Sequence, residues 1–411
     1  MTGPTDLPRL PDRSFTGLID EARALQQETV ELRRTVHRHP EVGLHLPRTQ
    51  AAIKEALAGL PLEITEGRST TSLTAVLRGA KPGPAVLLRG DMDALPLSEE
   101  TGLDFASEVE GVMHACGHDT HVAMLVSAAK LLSRRAGELA GSVVFMFQPG
   151  EEGEHGARHM IHEGVLDAAG ERVERAFGLH IIGTARSGLV QVKPGPVMAS
   201  ADKFDVLVTG KGGHGSEPDS ALDPVPAAAA MVGALQTMVT RRISVFEPAV
   251  ITVGRITAGT TSNIIPETAE LEGTIRTLSE RTRALVREEL PKVCEAVGAA
   301  HGCRVSVDVT PGYPVSVNDD RVAAEVANVA ASLLGLSNVE ILASPVMKAE
   351  DFSYVLQRVP GAFAFLGGRP QGTDPADAED NHSSRVCFDE GAMVHGVALH
   401  AAFALNALKE S

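Results

Sequence analysis

The sequence predicts an α/β protein: a layered domain with a mostly parallel central sheet, interrupted by an inserted α+β module of ferredoxin-like order. Three observations carry this. Short apolar runs alternate with helical patterns early in the chain, over residues 198–311 the rhythm changes to β-α-β-β-α-β, and α/β patterning then returns. The layered domain is therefore assigned to residues 1–197 and 312–411, and the inserted module to 198–311.

In the first part, AVLLRG (85–90), GSVVFMF (141–147) and RAFGLHI (175–181) read as short buried strands. Between the first two, THVAMLVSAAKLLSRRAGEL spaces its apolar residues as a helix does, with Asp119 as its N-cap. In the module, DKFDVLVTG reads as a strand and DPVPAAAAMVGALQTMVTRR as a helix begun near two prolines. AVITVGRITAG and AELEGTIRTL read as paired strands. SERTRALVREELPKVCEAVGAAHG follows as a helix with a proline irregularity, and CRVSVDVTP closes the unit as a strand. The return leg offers a helix near EDFSYVLQRV, a strand at AFAFLGG, a polar loop at 367–384 and a final helix from Asp389.

A length of 411 residues allows two or three domains. The net charge of −16 argues against nucleic acid or an anionic membrane as partner, because both need a basic face. No run of about 18 apolar residues is present that could span a bilayer. The opening MTGPTDLPRLPDRS lacks the basic-then-apolar order of a secretory signal. Four sparse cysteines do not make a disulfide framework, so a reducing cytoplasm is expected.

Functional groups of open α/β sheets collect at the carboxyl ends of strands. Asp91 and Asp93 follow the first strand, Gln148, Glu151 and Glu152 the second; His180 ends the third, and His382 lies in the loop after the late strand. Cys116 and His118 sit just before a helix N-terminus, where the dipole favours a thiolate. One thiolate, three imidazoles and one carboxylate suit a borderline divalent metal, and five donors exceed a closed tetrahedron but fit a two-metal site with a bridging ligand. A lone buried Cys is more often a small hydrophobe and a lone His more often structural; their convergence at matching sheet positions favours metal. In QPGEEG, one carboxylate would serve the metal and the other would move a proton, against the plainer reading of a solvated acidic loop.

Weaker candidates are His155, His159 and His162 on a helix, more plainly a solvated face. GKGGHG (210–215) has the glycine spacing of a dinucleotide site, but no helix opens after it, and that reading is rejected. Neither a G-x-S-x-G elbow nor an H-E-x-x-H motif occurs.

Taken together, RRTVHRHPEVG, LLRGDMDALPLSEETGLDFAS, HACGHDTH, FQPGEEGEHGARHMI, GLH, KGGHGSEP, TSNIIPETAELEGTIR, EDFSY and NHSSRVCFDE resemble the M20 metallopeptidase family, in its amidohydrolase branch of hippurate hydrolases, N-acyl-amino-acid amidohydrolases and auxin-conjugate hydrolases. The resemblance spans nearly the whole chain. It implies metal ligands at Cys116, His118, Glu152, His180 and His382, a general base at Glu151 and a supporting acid at Asp93. It implies that the inserted module is a lid and dimerisation domain whose His214 reaches the partner subunit's active site, and that Asn263 and Arg276 contact the substrate carboxylate. Where many peptidases of the wider family carry a histidine ligand, this chain has Asp91, as the amidohydrolase branch does.

The expectation is a cytoplasmic homodimeric enzyme holding two divalent ions per chain (Zn, Mn, Co or Ni). It would hydrolyse N-acyl-amino acids, a small-molecule substrate, to a carboxylic acid and a free amino acid. The alternatives are a small-peptide hydrolase of the same family and a metal-binding homologue without catalysis. A dehydrogenase would rest on the rejected glycine pattern alone.

Overall fold

The computed structural model describes residue 15 and residues 17–409, and all statements of structure below concern these residues. The opening segment MTGPTDLPRLPDRS, read as lacking a secretory signal, lies outside them. The chain divides into two compact units. One comprises the chain up to Val197, Val317–Ser344 and everything from Asp351; the other comprises Met198–Ser316 and Pro345–Glu350.

The first leg opens with helices α1 (Leu18–Ala24), α2 (Gln26–Arg38) and α3 (Pro47–Ala56). A proline starts α3, where its missing N–H costs nothing. Strands β1 (Leu62–Glu66), β2 (Leu73–Arg78) and β3 (Lys81–Asp91) follow. β3 begins exposed and is buried from Ala85 to Asp91, as a strand covered on both faces must be. Helix α4 (His118–Arg134) is buried over nearly its whole length, which fits its apolar circumference. β4 (Ala140–Gln148) is buried throughout. Helix α5 (Gly156–His162) and strands β5 (Val173–Arg186), β6 (Val190–Val192) and β7 (Gly195–Met198) complete the leg.

The N-terminus of α4 corrects the sequence reading. Gly117, left-handed at φ 85°, holds the N-cap position, and Asp119 lies inside the first turn. A Cβ on Gly117 would fall 2.5 Å from Ile181 Cγ2, so glycine is needed both for the conformation and for the approach.

The second unit contains β8 (Ala201–Thr209), β9 (Gly213–His214), α6 (Pro224–Arg242), β10 (Ala249–Ala258), β11 (Ile264–Ile265), β12 (Thr268–Thr277), α7 (Glu280–Ala300) and β13 (Arg304–Tyr313), and β14 (Ser316–Asn318) follows where the chain re-enters the first unit. Its antiparallel sheet runs β10-β12-β8-β13, the ferredoxin-like order for β-α-β-β-α-β. β8 alternates buried and exposed residues, so one face packs on the helices and the other does not. Val206 of β8, Met231 and Leu235 of α6, and Val286 and Leu290 of α7 share its core. Asp223 and Ser279 cap the two helices by accepting from Val225 N and Thr282 N. α7 runs on as one helix with Pro291 inside it.

The return leg adds α8 (Asp320–Leu334), β15 (Val339–Ile341), the single turn α9 (Ser353–Leu356), β16 (Gly361–Arg369) and α10 (Met393–Ala407). The final helix was expected from Asp389; instead Asp389 caps a 3-10 turn, Glu390–Ala392, and α10 begins at Met393. The eight strands of this unit's sheet are ordered β1-β2-β4-β3-β5-β16-β6-β15. Its centre, β4-β3-β5-β16, is parallel, and antiparallel pairings flank it. α4 and α10 pack together over a cluster that includes Phe145, Phe177, Leu179, Leu366 and Phe403. Among the described residues, no helix is long and apolar enough to cross a membrane.

Candidate metal centre

The parallel strands deliver their carboxyl ends side by side. β3 ends at Asp91, with Asp93 two residues on, β4 leads into Glu151 and Glu152, and β5 carries His180. The Cys116–Gly117 turn and the first residue of α4, His118, join them. Cys116 Sγ lies 3.3 Å from His180 Nε2 and 3.3 Å from His382 Nε2. Glu152 Oε1 lies 3.1 Å from His382 Nε2. Donor atoms of Cys116, His118 and His180, of Cys116, Glu152 and His382, and of His118, Glu151 and Glu152 form overlapping trios, with the atoms of each trio within 4.8 Å of one another. The constellation is buried at its base and open at His382, which is exposed.

Outer groups aim these side chains. His180 Nδ1 donates to Ile181 O (2.7 Å) and His118 Nδ1 to Asp93 O (2.8 Å), so each ring turns its Nε2 inward. The Asp93 carboxylate accepts from the Glu151 and Glu152 amides, both at 2.9 Å, which fixes the turn that presents the acidic pair. Asn381 donates to Cys116 O and Ile181 O and accepts from Gly183 N, all at 3.0 Å. That strap sets the next residue, His382, whose φ of 72° is rare for a non-glycine residue and is held by the hydrogen bond its backbone N–H donates to Ala115 O at 2.9 Å. Beneath lie Met113, Ala115, Ile181, Val386 and Phe388.

The electrostatics favour a cation. Burial raises the Cys116 thiol pKa and outweighs the lowering by His118, so the expected depression by the helix terminus does not hold for the thiol on its own. A thiolate at this depth needs a metal, which deprotonates a ligating thiol outright. Burial, and then His121, pushes His180 well below the usual imidazole value and keeps it neutral, the ligating form. Burial opposes a charge on His118, but Asp91 and Cys116 prevail and raise its pKa. His382 is raised to about 10 by its bonds to Cys116 and Glu152. His118 Nε2 and Glu152 Oε1 are buried with only ion-pair contacts, to Asp91 at 3.3 Å and to His382 at 3.1 Å, neither of them well aligned as a hydrogen bond, and a buried polar atom so placed is costly unless something else occupies it. These residues therefore fit divalent ions.

The remaining sequence candidates divide. His121 and Asp119 of the HACGHDTH stretch are turned elsewhere. Asp119 accepts from Arg33 Nε at 2.7 Å and lies 2.9 Å from His37 Nδ1, all fully buried. His155 is not on the helix as read but precedes α5 in a left-handed conformation, 3.0 Å from the Tyr354 hydroxyl. In the second unit His214 is exposed on the β9–β11 ribbon, and its Nδ1 takes the Ser216 hydroxyl at 2.7 Å. Asn263 is exposed on the adjoining turn, where its carbonyl accepts from Gly215 N at 2.9 Å. Arg276, half-buried on β12, has its pKa lowered by that burial.

Sequence reasoning missed Asn381, Arg89 and the role of Asp91. Burial would raise the Asp91 pKa, yet Arg89, His118 and His121 hold it well below the usual carboxylate range. Arg89 Nη1 donates to Asp91 at 2.6 Å, and its Nε donates to Gln148 at 2.9 Å. An arginine inside an apolar strand such as AVLLRG was the available signal, because a buried charge needs partners.

Residues 87–406 match Peptidase family M20/M25/M40. The chain is 38% identical to a thermostable carboxypeptidase of Saccharolobus solfataricus over 95% of its own length and 98% of that protein. It is 38% identical to an N-acetylcysteine deacetylase of Bacillus subtilis over 90% and 94% of the two chains. The fold matches a dinuclear metal-binding M20 peptidase of Bacillus subtilis with a TM-score of 0.80, at 33% identity, covering 94% of this chain and 99% of that one. The chain therefore belongs to family M20, among its dinuclear metal peptidases and amidohydrolases.

Proposed function

We propose that this enzyme hydrolyses N-acyl-amino acids to a carboxylic acid and a free amino acid, with Cys116, His118, Glu152, His180 and His382 holding two divalent ions. The observation that carries the reading is the convergence of His180 and His382 on Cys116 Sγ, each Nε2 at 3.3 Å, beside an acidic pair anchored by Asp93. Cys116 belongs to two of the donor trios, so its sulfur would be available to hold either ion. The 38% identity to an N-acetylcysteine deacetylase supports the substrate class.

Bound ions, of Zn, Mn, Co or Ni, would supply Lewis acidity toward the scissile carbonyl. Glu151, 6% exposed and next to Glu152, takes a proton from the attacking water and delivers it to the leaving amine nitrogen. Asp93 keeps that carboxylate in place through the backbone. His214, exposed with Nε2 uncommitted, donates to the developing oxyanion, and Arg276 with Asn263 receives the substrate carboxylate. We assign His214 to the site of a second copy in a homodimer. The edge strand β10, with Val250 and Ile256 exposed, offers a surface for that association. The four free cysteines agree with a cytoplasmic setting.

A second reading, peptide hydrolysis, is favoured by the equal identity to a carboxypeptidase. The metal-loaded enzyme assayed on a panel of N-acyl-amino acids and unblocked dipeptides, with mass-spectrometric detection of products, separates the two. Faster cleavage of dipeptides, or acyl hydrolysis that survives a chelator, overturns the proposal.

A further inference from the structure

We propose a second ligand site, for a small oxyanion-bearing metabolite, in the cavity beyond the carboxyl ends of β5 and β16. Those two strands are a parallel pair, and their last residues, Arg186 and Arg369, are register partners. Like charges opposite one another in a sheet repel and lower stability unless something compensates. No carboxylate among the described residues does so. Arg186 spends its donors on Asn338 Oδ1 and Ser337 O, both at 3.0 Å, and Arg369 donates to Thr184 O at 3.3 Å. The one carboxylate lining the cavity, Asp389, is engaged with Ser187 Oγ at 2.6 Å and with Gly391 N at 2.9 Å rather than with either arginine.

Both arginines border a cavity of about 500 Å³, which Ser187, Thr373 and His395 also line. That volume suits a metabolite rather than a lone ion. A guanidinium fork matches the geometry of a phosphate or carboxylate group, and Ser187, Thr373 and His395 are the hydrogen-bonding types that would orient it. The location follows the rule that ligands of open α/β sheets sit beyond the carboxyl ends of parallel strands. None of these residues is a candidate metal ligand, so the site is separate from the one described above.

Binding is measured on the full metal-loaded chain by isothermal titration, with inorganic phosphate and with citrate as probes. The proposal expects one saturable site per chain for at least one probe. A preference for phosphate marks a phosphorylated ligand and a preference for citrate a carboxylated one. It expects affinity to fall by about tenfold or more in Arg369→Gln and in Arg186→Gln, each with unchanged metal content and circular dichroism. Phosphate and citrate also bind divalent ions, so binding that persists unchanged in both variants would place the probe at the metals and overturn the proposal. Absence of saturable binding by either probe would do the same. Arg186 is exposed, and its variant carries the test if Arg369→Gln does not fold.

Discussion

Nδ1 of His121 lies 2.6 Å from a carboxylate oxygen of Asp91, and Nε2 of the same ring accepts the Ile181 amide at 2.8 Å. Both nitrogens are thereby committed. The ring is a neutral tautomer protonated on Nδ1, with no lone pair left for a metal. It joins Asp91, which also sits 3.3 Å from His118 Nε2, to the backbone beside His180. His121 positions candidate ligands without being one.

Replacing His121 with Ala is therefore expected to weaken metal binding by about 10–100-fold, the usual cost of losing an outer partner. Competition against a chromophoric chelator measures this directly, without an activity assay. Affinity equal to the parent's would show that His121 only fills space.

The two carboxylates after β4 should separate by metal content. Glu151→Gln is expected to keep its metals and lose about 10²–10⁴-fold in kcat, the range of general acid–base effects. Glu152→Gln should lose metal, because its buried Oε1 faces His382. Elemental analysis of both variants beside their turnover decides, and the opposite pattern would exchange the two roles.

Stability should respond most sharply at Arg33. Its pair with Asp119 is buried on both sides, at 1% and 0% exposure. Removing one partner strands a charge away from water, which costs about 3–5 kcal/mol. Arg33→Leu should lower the unfolding free energy, measured by denaturant titration, by that amount, and the double variant Arg33→Leu/Asp119→Leu should recover much of it. A single variant that unfolds within about 0.5 kcal/mol of the parent contradicts this view of the pair.

What the sequence disclosed follows from the range of each signal. The buried strands and α4 announce themselves by local periodicity, and the β-α-β-β-α-β order by the alternation of its runs. Placement at strand ends then picked out His180 and His382, and the approach to a helix N-terminus picked out Cys116 and His118. The partners of Asp119 and Arg89 were illegible for a different reason. Arg33 and Asp119 are 86 residues apart, and Arg89 reaches Asp351 across 262, so no local pattern records either pairing. The N-cap of α4 was misread because the contact that requires Gly117 comes from Ile181 on another strand. Asp119 has the side chain of a cap, and the tertiary structure uses it for an ion pair instead.

His214 gives the last prediction. It stands on a two-stranded ribbon, exposed, with Ser216 holding Nδ1 and no bond made by Nε2 among the described residues. Gly213 and Gly215 flank it, and a Cβ at Gly213 would fall 2.9 Å from Ala221 Cβ, so the ribbon is built tight around an outward-facing imidazole. Such a ring contributes nothing to the core. His214→Ala is therefore expected to keep its stability and metal content while losing most turnover, about 10²-fold or more for a lost oxyanion donor. If the ring serves the site of a second copy, two inactive chains should complement each other. In a heterodimer of His214→Ala with Glu151→Gln, one of the two sites regains both groups, and activity should rise toward half that of the parent per chain. Co-expression with two affinity tags isolates that heterodimer. Purified heterodimer no more active than either homodimer would mean that His214 serves its own chain or has no part in turnover, and full activity in His214→Ala alone would remove it from the reaction.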